Sequence, residues 1–203
     1  MPANQHDITM DLGEARDQGQ RPTCLSFSLS EIHRASRGSV DLLSPESLHR
    51  GATTRAGKPA SDGLTLSEAI ETLDADGQTT EVDWPYNSDQ PLNAGSVYLR
   101  ARGASLPFDH NFVLASLGAN TPIALIIDVD VSFFTCDGIT PLDLIANSQI
   151  QGRHAVVVCG IRASSESCSY LIKNSWGTGW GNGGYAWLTL SHVSARSPLL
   201  VRI

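Results

Sequence analysis

In the first half of the chain, apolar residues recur at helical spacing; in the second they form short continuous runs. Leu25, Leu29 and Ile32 follow Cys24 at helical intervals and the pattern stops at Gly38, which predicts an amphipathic helix. Ser44-Pro45 reads as an N-cap with a first-turn proline, opening a short helix to about His49. Residues 50–62, rich in Gly, Thr, Ala and Pro, read as loop. Thr65 and Glu68 have capping-box spacing ahead of Leu66, Ala69, Ile70 and Leu73, and Gly77 closes that helix. Beyond Leu106-Pro107 the texture changes. Residues 112–117 predict a short helix ended by Gly118, and residues 123–129, 155–161, 169–174 and 185–190 predict strands. Residues 177–184 hold five glycines, which predicts a tight irregular turn. Helices first and strands later predict an α+β arrangement, with 1–107 mainly helical and 108–203 mainly β.

At 203 residues the chain suits one catalytic unit. Hydrophobic residues at 41% and charged residues at 17% are an ordinary globular balance. A net charge of -7 argues against nucleic acid as the main partner, because phosphate binding needs surplus Lys and Arg. No run approaches the roughly 18 apolar residues of a membrane span, and the polar first eleven residues lack a signal pattern. These features predict a soluble, cytoplasmic protein; delivery or export within a larger system stays open. The four cysteines, Cys24, Cys136, Cys159 and Cys168, contain no Cys-x-x-Cys pair and match no zinc spacing. With Cys24 as a reactive thiol the other three cannot all pair, which favours a reducing compartment; a bridge such as Cys136–Cys168 stays open.

Cys24 is the first candidate for chemistry. It sits just before an amphipathic helix, where the dipole and unpaired N–H groups favour a thiolate, the nucleophilic form. His154 stands at the start of the apolar run Ala155-Val156-Val157-Val158, placing an imidazole at a strand edge. Asn174 ends the next strand; its amide can hold that imidazole through one ring nitrogen, and Trp176 can shield the bond from water. His154 lies 130 residues beyond Cys24 and Asn174 lies 150 beyond, the separations of the papain arrangement. The other histidines, His6, His33, His49, His110 and His192, have no acid or cysteine at useful spacing and read as surface residues. Asp128 and Asp130 read as a solvated strand end rather than a metal or acid pair.

The local words extend the match. Asp17-Gln18-Gly19-Gln20 through Cys24, His154-Ala155-Val156-Val157-Val158-Cys159-Gly160, and Lys173-Asn174-Ser175-Trp176-Gly177-Thr178-Gly179-Trp180-Gly181 resemble the glutamine–cysteine, histidine and asparagine blocks of papain-like cysteine peptidases. Leu43-Ser44-Pro45-Glu46, Asp62-Gly63-Leu64 and Asp83-Trp84-Pro85-Tyr86 resemble segments between them, so the likeness runs from about Asp11 to Leu190. The resemblance implies a two-lobed papain-like fold, with a helical N-terminal lobe, an antiparallel sheet or barrel in the C-terminal lobe and the active site in the cleft between them. It also implies a Cys24–His154–Asn174 triad. Gln18 and the Cys24 N–H would hold the oxyanion, with Gly63 and Trp176 binding substrate. The implied partner is a peptide or protein substrate, open to a protein inhibitor or regulator, with no metal or organic cofactor. Arg21-Pro22-Thr23-Cys24-Leu25 departs from the family's common Cys-Gly-Ser-Cys-Trp: the extra cysteine with its disulfide, and the following aromatic, are missing. Only some 17 residues precede Gln18, so the likeness is to compact variants without a pro-segment. The implied reaction is endopeptidase hydrolysis through a thioester. Isopeptidase, deubiquitinase-like or transpeptidase transfer on the same residues stays open, as does an inactive peptide-binding module.

Overall fold

The computed structural model describes residues 4–93, 95–164 and 167–203. In chain order the first elements are β1 (Asn4–Asp7), α1 (Thr9–Leu12), α2 (Cys24–Ser36), α3 (Pro45–Arg55) and α4 (Leu66–Ala75). Then come β2 (Ala104–Pro107), α5 (His110–Gly118), β3 (Ile123–Asp130), α6 (Val131–Thr135) and β4 (Ile150–Ala163). The chain ends with β5 (Cys168–Lys173), β6 (Tyr185–Thr189), α7 (Leu190–Ser194) and β7 (Leu199–Arg202). Two units emerge. A helical unit comprises Gln18–Ser105 with Arg202–Ile203; a sheet unit comprises the chain up to Asp17 with Leu106–Val201. The segment before Gln18, which the sequence groups with the helical half, thus belongs with the sheet.

In the helical unit α2 starts at Cys24 and buries Leu25, Leu29 and Ile32, as their spacing predicts. Ser30 Oγ donates to Gln78 Oε1 at 2.8 Å, and Gln78 Nε2 donates to His33 Nδ1 at 2.8 Å. α3 opens as expected: the Ser47 N–H donates to Ser44 Oγ at 3.0 Å, with Pro45 in the first turn. It then runs on to Arg55 instead of ending near His49. A mid-helix glycine costs about 1 kcal/mol, less than the roughly 1.5–3 kcal/mol gained by burying a side chain such as Leu48. Gly51 also faces α4, where a Cβ would meet Thr72 Cγ2 at 3.2 Å. Tertiary packing therefore overrides the loop-like composition. The capping box of α4 forms as read, with Thr65 N–H to Glu68 Oε2 at 2.7 Å and Glu68 N–H to Thr65 Oγ1 at 3.3 Å.

The sheet has seven strands in the order β2-β7-β3-β4-β5-β6, with β1 also paired to β4. It is an open sheet, not a closed barrel. β1–β4, β3–β4, β3–β7, β4–β5 and β5–β6 all pair antiparallel. β4 is long enough for one edge to take β3 and then β1, whose His6 pairs with Ile161. β3 is apolar along five consecutive positions because both of its faces are covered. Ile123, Leu125, Ile127, Val156, Val158, Ile172, Leu188 and Leu200 form its buried centre. No helix among the described residues is long and apolar enough to cross a membrane.

Several local readings are corrected. His33, His49 and His192 are fully buried, not on the surface. Asp130 is also buried: it pairs with Arg196 and accepts from Ser148 Oγ, while Asp128 pairs with Arg153 at 2.9 Å. His154 lies within β4, not at its start, since the strand begins at Ile150. None of the four cysteines, all described, is in a disulfide, so the Cys136–Cys168 bridge left open by the sequence is not formed.

Candidate active site

In the helical unit, Cys24 is the first residue of α2 and is partly exposed. Thr23 precedes it without capping the helix through its side chain; its Oγ1 instead lies 2.7 Å from Tyr86 Oη. The first turn carries no acidic residue. No carboxylate of that turn offsets the positive end of the dipole, where the sulfur sits. Gln18 is buried; its Nε2 donates to the Arg21 carbonyl at 2.8 Å, and its own carbonyl accepts from Tyr86 Oη at 2.8 Å. Gly63 is exposed beside Pro22. A Cβ there would meet Pro22 Cβ at 3.5 Å, an ordinary contact, and its φ is not positive. Neither backbone conformation nor packing within its own unit demands a glycine.

In the sheet unit, β4 presents His154 opposite Ile127 of β3, and Asn174 directly follows β5. His154 Nε2 donates to Asn174 Oδ1 at 2.7 Å. The Ser175 N–H donates to the same oxygen at 2.8 Å, which assigns the oxygen end of the amide. Nε2 therefore carries the proton, and in the neutral ring Nδ1 carries the lone pair. Burial drives the His154 pKa down to about 4, with the Asn174 bond opposing it, so the ring is neutral at pH 7.

Aromatic rings wrap this pair. The Trp176 ring lies 4.5 Å from the imidazole, and the Phe133 ring 5.9 Å from it. Phe134 stacks on Trp176 at 5.0 Å, and Trp180 meets it edge-on at 5.9 Å. With His154 and Asn174 only 6% and 3% exposed, the hydrogen bond is sheltered from competing water. The segment before Gln18 fastens the asparagine block from below. The Gly177 N–H donates to the Arg16 carbonyl at 3.0 Å, Lys173 Nζ to Leu12 O at 2.7 Å, and Tyr185 Oη to Gly13 O at 2.5 Å. Gly184 has φ +90°, and a Cβ on it would lie 2.1 Å from Ala15 Cβ, so only glycine fits.

The six expected site residues thus form two groups. His154, Asn174 and Trp176 come together in the sheet unit, whereas Gln18, Cys24 and Gly63 belong to the helical unit. Phe133, Tyr86 and Glu46 were not singled out from sequence as supports. Glu46 and Tyr86 stand in motif words, but nothing in the sequence relates them to Gln18 or Arg21, and Phe133 stands in no word at all. Among the described residues no group of three or more His, Cys, Asp or Glu could hold a metal ion.

Comparison with known proteins extends these observations. The model of the family described as papain family cysteine protease matches residues 4–195. Cysteine endopeptidase Rep1 of Oryza sativa subsp. japonica is 32% identical over 187 residues, covering 84% of this chain and 48% of the rice protein. Digestive cysteine proteinase 2 of Homarus americanus is 27% identical over 195 residues, covering 84% of this chain and 55% of the lobster protein. The chain therefore spans about half the length of the curated relatives it matches. Digestive procathepsin L 3 of Tenebrio molitor superposes with a TM-score of 0.77 at 23% identity, over 98% of this chain and 68% of the other. Xylellain of Xylella fastidiosa gives 0.74 at 19%, over 98% and 85%.

Proposed function

Because this chain belongs to the papain family of cysteine proteases, we propose that it is a thiol endopeptidase with Cys24 as nucleophile, His154 as general base and acid, and Asn174 as orienting residue. The 2.7 Å bond from His154 Nε2 to Asn174 Oδ1 carries the reading, because it commits Nδ1 to be the basic atom. In this reading the Cys24 sulfur gives its proton to Nδ1 as it adds to the scissile carbonyl. The Gln18 amide and the Cys24 N–H donate to the oxyanion. Such donors are worth roughly 10²–10³ in rate. The C–N bond breaks as the imidazolium protonates the leaving amine, and water then cleaves the thioester with His154 taking its proton.

Burial of His154 favours its neutral ring, the form in which Nδ1 can take a proton. Gly63, a glycine that its own unit does not require, suits close approach of an extended peptide backbone. Trp176 would border the same peptide. The names cysteine endopeptidase and digestive cysteine proteinase, carried by relatives, agree with a peptide or protein substrate.

The test compares wild type with Cys24→Ala on a peptide library, with products weighed by mass spectrometry. Hydrolysis by wild type alone is the expected result. Turnover retained by Cys24→Ala would end the assignment. Products heavier by an added amine would turn it into transpeptidation, and an inert wild type would leave a peptide-binding module.

A further inference from the structure

Glu46, in the second position of α3, is fully buried, and three groups converge on its carboxylate. Arg21 grips both oxygens, with Nη1 to Oε2 at 2.5 Å and Nη2 to Oε1 at 3.0 Å. Arg50 Nε donates to Oε1 at 2.6 Å, and the Asn87 N–H to Oε2 at 3.0 Å. Burial alone would raise the Glu46 pKa, but these donors outweigh it and hold the carboxylate ionised. The Arg21 guanidinium also lies 5.1 Å from the centre of the Tyr86 ring. Tyr86 in turn donates to the Gln18 carbonyl and meets Thr23 Oγ1, while the Arg21 carbonyl accepts from the Gln18 amide. Every one of these contacts lies inside the helical unit.

Arg21 is thus clamped at its side chain and used at its backbone, midway between Gln18 and Cys24. We propose that Arg21 is a positioning residue: its fork onto buried Glu46 and its stacking on Tyr86 fix the loop from Gln18 to Cys24, and so the spacing of the two oxyanion donors. This rests on the function proposed above. The loop has no covalent tie, since none of the four cysteines is in a disulfide, and a planar bidentate pair is the strongest non-covalent substitute available to it. A lysine could keep the charge but could not grip both oxygens.

The experiment measures kcat, KM and the rate of Cys24 alkylation by iodoacetamide for wild type, Arg21→Lys, Arg21→Ala and Glu46→Gln, each below its own melting temperature. Displacing a catalytic group by about 1 Å costs on the order of 100-fold. Arg21→Ala should accordingly lose about 100-fold in kcat and Arg21→Lys about 10-fold, with KM and alkylation within about threefold of wild type. Alkylation needs the thiol but no oxyanion donors, so this split separates misplacement from unfolding. A folded Arg21→Ala or Arg21→Lys with wild-type kcat overturns the proposal, as does equal loss in kcat and alkylation. If Arg21→Ala does not fold, Arg21→Lys and Glu46→Gln decide by the same criterion. Failure of the underlying reading looks different: wild type itself shows no turnover, or Cys24→Ala keeps it.

Discussion

In the helical unit, the segment from Gln18 to Cys24 is held by charge and by side-chain hydrogen bonds to Glu46 and Tyr86. In the sheet unit, His154 and Asn174 are held by buried strands, a glycine-rich turn and four aromatic rings. The first kind of support fixes a loop by direction and can fail while the fold survives. The second fixes a side chain by excluding alternatives, and it fails only when packing fails. Function in the helical unit should therefore be more fragile than stability, and in the sheet unit the two should fall together.

Acid is the strongest way to press on both. His33 in the helical unit and His154 in the sheet unit are each held at a pKa of about 4, chiefly by burial. Unfolded histidine titrates near 6.5, so the unfolded chain binds more protons between these values and stability rises with pH across the window. The contribution is complete above pH 6.5 and lost as pH falls through 4. It is on the order of 3 kcal/mol for each histidine. Thermal melts from pH 7 to 4 should show this loss, to which buried His49 and His192 add in the same direction, and His33→Gln should make the profile shallower. A flat profile between pH 6.5 and 4.5 would contradict the burial argument.

Two glycines sharpen the contrast. Gly184→Ala should cost roughly 2–4 kcal/mol, from a left-handed backbone and a clash with Ala15, seen as a lower urea midpoint. Asn174→Ala should cost about 1 kcal/mol in the same assay and about 10-fold or more in kcat. Gly63→Ala should change stability by less than about 0.5 kcal/mol, because its Cβ would meet Pro22 only at ordinary contact distance, yet raise KM for peptides, whose backbone in the proposed reading needs that space. A KM unchanged in that variant would remove Gly63 from the substrate site.

What the sequence disclosed was whatever depends on near neighbours. Helix α2, the Ser44 cap and the Thr65–Glu68 box follow from residues within a few positions of one another, as does the irregular turn after Asn174. The second half of α3 was hidden because Gly51 is explained only by Thr72 on another helix. β1 was hidden because its partner residues lie at the far end of β4. The burial of His33, His49 and Asp130 is not legible in sequence because their hydrogen-bonding partners, Gln78, Ala60 and Arg196, have no sequence relation to them. The residues of the proposed triad were legible as letters in fixed words. Glu46 and Tyr86 also stood in such words, but their supporting role was not legible, since they act through contacts 25 and 68 residues away in the chain.

The attachment of β1 to β4 bears on how the molecule is made. During synthesis His6 emerges before the helical unit, but Ile161, opposite which it must settle, leaves the ribosome roughly 150 residues later. At about 5–20 residues per second this is a wait of about 10–30 s. The helical unit is nearly contiguous and has its three main helices in hand long before that. β1 therefore stays unmatched while the helical unit is already folding, so its edge is exposed until β4 is made.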